Sequence, residues 1–147
     1  MKNILITSLI ALSAVTAGAT EIGLTTTRDG GTSRDAFGVT VGQTFGKVGV
    51  TAGFERNTTG DAQDRYSVGA SYDLTKFGPV TVSAKTGAAY LNNTVGEDGY
   101  ALTVAVGASV PVTKQVSFVA ELGRQYGQAR VASFDGSRIT AGLKYAF

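Results

Sequence analysis

From Glu21 to Phe147, apolar residues alternate with small or polar ones at a period of two, and no sustained helical period interrupts them. Successive side chains leave a strand on opposite sides, so this pattern describes strands with two unlike faces. Eight segments carry it. In the first, around residues 21–28, Ile22 and Leu24 oppose Gly23 and Thr25. In the second, Phe37, Val39, Val41 and Phe45 oppose Gly38, Thr40, Gly42 and Thr44, with Gln43 the polar exception on the apolar side. Val48, Val50, Ala52 and Phe54 begin the third, and Tyr66, Val68, Ala70, Tyr72 and Leu74 mark the fourth. Val80, Val82, Ala84, Ala88 and Tyr90 follow, then Tyr100 through Val110 at every second position. Val116, Phe118, Ala120 and Leu122 precede a last segment of Ile139, Ala141, Leu143, Tyr145 and Phe147.

The connections alternate in length. Short turns are expected at Gly46-Lys47, Lys76–Pro79 and Thr113-Lys114, and longer polar loops at Asp29–Asp35, Asn57–Asp64, Asn92–Gly99 and Gly127–Ser137. A hairpin unit repeats as well: VGQTFG, VGASYDL, VGASVPV and AGLKYAF each fall where an even-numbered strand nears the short-turn end. Such a meander brings its first and last strands to one place, so the sheet can close. The predicted fold is all-β: an eight-stranded antiparallel up-and-down barrel.

Which face points inward is a question of chemistry. A soluble surface carries about a quarter to a third charged residues, whereas the polar face here is mostly Gly, Thr, Ser and Ala. Small residues suit a crowded lumen. The apolar face has Phe45, Tyr72, Phe77, Tyr145 and Phe147 toward the short turns, and Phe37, Phe54, Tyr66, Tyr90, Tyr100 and Tyr126 toward the loops. Two aromatic girdles around an aliphatic belt predict a transmembrane β-barrel. Closure pairs all backbone groups, as a bilayer demands.

Ahead of the strands lies MKNILITSLIALSAVTAGA, with a basic start, an apolar run and a small-residue Ala17-Gly18-Ala19 site. This layout predicts a signal peptide over residues 1–19 and a barrel domain over residues 20–147. The chain contains no Cys, so an exported fold must be stabilised without disulfides. It contains no His, which removes the common general base and zinc ligand. The net charge of +2 comes without a charge run, so no nucleic-acid footprint exists.

Taken together, these features resemble the small eight-stranded outer-membrane barrels of Gram-negative bacteria, of OmpA-like or OmpX-like type. The resemblance covers the whole chain after the leader. Thr140, Gly142, Tyr145 and Phe147 match the family's sorting signal of polar, Gly, aromatic and aromatic positions. The resemblance implies that the outer-membrane assembly machinery reads these residues from a free, flush end. It further implies a monomer located in the cell outer membrane. The connections are shorter than those of the family's adhesins and invasins. Family members with hydrolase, acyltransferase or protease activity use a His, so no enzyme is expected, and no cofactor or metal.

Eight charged residues fall on the lumen face: Glu21, Glu55, Arg65, Asp73, Lys85, Glu121, Arg138 and Lys144. Buried charges must be paired, so these are expected to form an ion network that fills the lumen. Lys85 and Glu121 lie at comparable heights, and Glu121 can also reach Lys144 or Arg138. A gate of exchangeable pairs along a narrow polar path is the functional alternative. Near the outer rim, Arg56, Arg124 and Arg130 are candidate lipopolysaccharide contacts, because guanidinium groups match phosphate geometry. The loop acids Asp29, Asp35, Asp61, Asp64, Glu97, Asp98 and Asp135 match no calcium-loop spacing. The expected role is structural or surface-interacting: membrane integrity, lipopolysaccharide, or host and phage contact through the loops. Two alternatives stand beside it, a narrow pore for ions or small solutes and a soluble periplasmic ligand-binding barrel.

Overall fold

The computed structural model describes residues 19–30, 33–59, 63–93, 97–128, 131 and 135–147. Eight strands follow in chain order: β1 (Ala19–Asp29), β2 (Arg34–Phe45), β3 (Val48–Asn57), β4 (Gln63–Phe77), β5 (Val80–Asn93), β6 (Gly99–Pro111), β7 (Val116–Gly127) and β8 (Gly136–Ala146). Each pairs antiparallel with the next, and β1 pairs with β8, so the barrel is closed. Closure leaves no strand edge with unpaired N–H and C=O groups, which is the condition for crossing hydrocarbon.

The alternation read from the sequence sorts the side chains as a membrane barrel requires. Val68, Leu102, Leu122 and Ile139 point out and are about 60% exposed (58–63%). Lumen-facing Thr25, Thr27, Ala89, Ala101 and Val119 are buried. A soluble barrel places its apolar face inside, so the soluble alternative does not describe this molecule. Cross-strand partners trace one row from Val110 through Phe118, Leu143, Leu24, Val39, Phe54, Tyr66 and Tyr90 to Tyr100. The row starts and ends on β6, ten residues apart. That stagger, over eight strands, tilts them by about 40° to the barrel axis.

The outer girdle forms by cross-strand contact. Phe54 and Tyr66 face each other at 5.2 Å between ring centroids, and Tyr90 and Tyr100 at 5.3 Å. Toward the short turns, Tyr145 and Phe147 meet edge to face at 5.1 Å. The small apolar core lies at the loop end of the lumen, where Leu91, Ala101 and Val131 pack together.

The strands run further than the composition suggests. Asp29, Arg34, Asp35, Asp64, Asn92 and Ser137 fall inside strands, and the long connections shrink to residues 30–33, 58–62, 94–98 and 128–135. The physical reason is side-chain pairing across the ladder. Arg28 meets Asp35 at 3.4 Å, Arg56 meets Asp64 at 2.7 Å, and Gln63 donates to Asn93 at 2.7 Å, all between residues in register. At the other end, Lys76 and Phe77 also belong to β4, leaving a two-residue turn at Gly78-Pro79. Gly46 and Gly78 take positive φ values of 62° and 57°, which L side chains resist in a tight hairpin turn. The β4–β5 register slips by one between Asp73 and Thr75, so Leu74 is the extra residue of a β-bulge.

Candidate functional site

The lumen contains ion pairs at three heights. At the outer mouth, Glu55 and Arg65 are opposite each other on β3 and β4, with Arg65 Nε 3.4 Å from Glu55 Oε2. From β8, Arg138 donates to Glu55 Oε2 at 2.7 Å and to Gln125 Oε1 at 3.0 Å. Arg65 also donates to Gln125 Oε1. On the next strand, Asp29 Oδ1 lies 3.0 Å from Arg138 Nε. Thr27 donates its hydroxyl to Glu55 Oε1 at 3.1 Å and shares a 2.9 Å hydrogen bond with Thr140. Two guanidinium groups and two carboxylates therefore balance in charge, and the cluster ties β3 and β4 to β7, β8 and β1. Asp29, Arg65, Gln125 and Arg138 are each third from the loop end of their strand or nearer to it.

Midway down β7, Glu121 pairs with Lys85 of β5. The strand between them contributes Gly107, where a Cβ would lie 3.0 Å from Lys85 Cε and 3.4 Å from Glu121 Cγ. The glycine leaves room for the lysine stem to pass across the β6 backbone and reach its partner. Near the short turns, Lys144 of β8 pairs with Glu21 of β1 at 2.6 Å. Two cavities of about 160 Å³ each lie between these levels. The outer one is bounded by Glu55, Arg65, Arg138, Lys85 and Glu121, and the inner one by Glu21, Asp73, Lys85 and Lys144. Each has room for roughly five waters.

Seven of the eight lumen charges named from the sequence come together, as the pairs Glu21–Lys144 and Lys85–Glu121 and the trio Glu55, Arg65 and Arg138. Asp73 does not. It lines the inner cavity and makes no ion pair among the described residues. It comes just before the β4 bulge, in register with Ser83, two residues nearer the short turn than Lys85 on β5. Glu121 meets Lys85 rather than Lys144 or Arg138, which are taken by Glu21 and Glu55. Sequence reasoning missed Gln125, which is 1% exposed and accepts from both arginines. It also placed Asp29 in a loop, although Asp29 ends β1 opposite Arg138. The alternation itself carried the signal for Gln125, two positions beyond lumen-facing Gly123.

On the outer surface the rim arginines differ. Arg56 clamps Asp64 through two hydrogen bonds of 2.7 and 2.9 Å while its guanidinium lies 5.9 Å from the Phe54 ring centre. Arg124 lies 5.6 Å over the Tyr126 ring. Arg130 falls outside the described residues. The sorting-signal residues all lie on or just past β8: Thr140 and Gly142 face the lumen, and Tyr145 and Phe147 face out. Among the described residues, no group of three or more His, Cys, Asp or Glu is arranged to hold a metal ion.

A family model described as Gram-negative porin matches residues 9–147. The chain belongs to the Gram-negative porin family. This porin-family chain also shares its fold with solved outer-membrane barrels. One is the N-terminal β-barrel domain of Pseudomonas aeruginosa OprF, at 16% identity and a TM-score of 0.73, covering 88% of this chain and 98% of that one. Another is Neisserial surface protein A, at 16% identity and a TM-score of 0.62 over 88% and 95% of the two chains. A third is Ail of Yersinia pestis in a nanodisc, at 15% identity and a TM-score of 0.55 over 88% and 99%. At these identities the likeness is one of fold alone. No curated protein sequence matches the chain. Family and fold together place this porin in the outer membrane of a Gram-negative cell.

Proposed function

We propose that this porin-family chain is a monomeric structural and surface-interacting barrel whose lumen holds water but no standing ion path. The observation that carries this reading is Arg138, which bridges Glu55 and Gln125 across the outer mouth from non-neighbouring strands. An eight-stranded barrel is only wide enough for its side chains to fill, and ion pairs at three levels of the lumen support that reading. Its loops and rim would meet lipopolysaccharide, host or phage surfaces. Residues 1–19 would serve as the cleaved export signal, and Thr140, Gly142, Tyr145 and Phe147 as the assembly signal. The chain acts without catalysis in this reading, in keeping with a sequence that has no His.

The test is conductance of the refolded protein in planar bilayers. A filled barrel gives no steady current, and its Glu121→Ala variant loses thermal stability more than it gains conductance. A second reading, the narrow pore, draws on the two cavities that share Lys85 and Lys144. Steady ohmic current through the wild-type protein, or a large current gain in Glu121→Ala with unchanged stability, would establish the pore instead.

A further inference from the structure

Outward-facing cations at the rim sit at the level of the anionic headgroups, where a neutralising partner is available from the protein or from the lipid. Arg28 has Asp35 and Arg56 has Asp64. Arg124 has no carboxylate in contact among the described residues. Its ring partner Tyr126 holds the guanidinium without discharging it. The surroundings are not aqueous in character. Arg124 is in register with Val104 of β6 and Ser137 of β8, both on the outward side. Leu122 and Leu102, each 63% exposed, and Ile139, 58% exposed, complete the patch. An unpaired guanidinium on the edge of this apolar face is well placed to take its anion from the membrane.

We propose that Arg124 binds the phosphate of an outer-leaflet lipid headgroup, with the exposed Ser137 hydroxyl as a second donor. The guanidinium fork matches two phosphate oxygens. The Tyr126 ring fixes the plane of that fork, and its position one step nearer the loops puts the site at headgroup depth. The acyl chains of the same lipid then lie along Leu122, Val104 and Ile139. Arg56 is the weaker candidate because Asp64 already neutralises its charge and takes its Nε and Nη2 donors. The inference narrows the proposed surface role to one residue and rests on the barrel's place in the outer membrane.

The protein refolded in dodecyl maltoside, a phosphate-free detergent, is titrated with phosphatidylglycerol, and retained lipid is counted by native mass spectrometry. The wild-type chain is expected to retain one lipid, and Arg124→Gln to hold it about ten-fold more weakly. Arg124→Lys falls between them, because an ammonium is a point charge, and Arg56→Gln matches the wild type. Before lipid is added, Arg124→Gln shows the wild-type heat-modifiable mobility, which establishes its folding. Equal retention by Arg124→Gln overturns the proposal. So does displacement of the lipid by excess inorganic phosphate, which would make the site one for the free anion. A conducting lumen would refute the filled-barrel reading without altering lipid retention, so the two failures are distinguishable.

Discussion

Arg138 on β8 donates to Glu55 on β3 at 2.7 Å, although β1 and β2 lie between those strands. The bond spans the lumen rather than the sheet, and it exists only because the barrel is closed. Glu55 also receives Arg65 and Thr27, so one carboxylate neutralises most of the outer mouth.

Glu55→Gln should therefore leave two buried guanidinium groups with one remaining carboxylate, Asp29. Breaking a buried pair by removing one partner costs about 3–5 kcal/mol. The expected result is a loss of that size in unfolding free energy, measured by urea titration of the protein in lipid vesicles. A change near zero would mean that the cluster is solvated and interchangeable.

Gly142 makes the seam between β8 and β1 close. A Cβ there would lie 2.2 Å from the Leu24 carbonyl oxygen and 2.9 Å from Thr25 Cγ2. Gly142→Val should cost about 3 kcal/mol from overpacking, and the folded, heat-modifiable band on gels should fade. The same substitution at Gly46, where a Cβ would meet nothing within 4 Å, tests turn strain instead of crowding.

Val106 lies on the lipid face of β6, and 55% of its surface is exposed. Val106→Arg should destabilise the barrel by about 2–4 kcal/mol, the cost of arginine near the bilayer midplane. In a water-soluble barrel the same change would be neutral or favourable. Folding titrations in vesicles separate the two outcomes.

Phe147 packs edge to face on Tyr145, and its N–H donates to the Thr20 carbonyl at 3.0 Å. Deleting Phe147 is expected to lower the amount of folded barrel reaching the outer membrane more than shortening any loop does. Refolding in detergent should change little by comparison. Equal losses in both settings would point to stability rather than to an assembly signal.

Strand number, strand direction and the identity of each face were legible in the sequence, because a period of two is a property of each strand alone. Phe54, Tyr66, Tyr90 and Tyr100 could be assigned outward and toward the loops from spacing and ring chemistry. Their meeting in one cross-strand row depended on register. The lumen charges divide in the same way. That all eight face inward followed from parity, but which carboxylate each base meets did not. The ten-residue stagger sets those heights, and it arises only when β8 meets β1. The β4 bulge was illegible for the same reason: its extra residue, Leu74, is defined only by the pairing of β4 with β5. Val131 reached the mouth of the lumen from a connection whose composition reads as surface. Alternation along one strand thus determined what faces lipid and what faces the lumen, while closure of the barrel decided who touches whom inside.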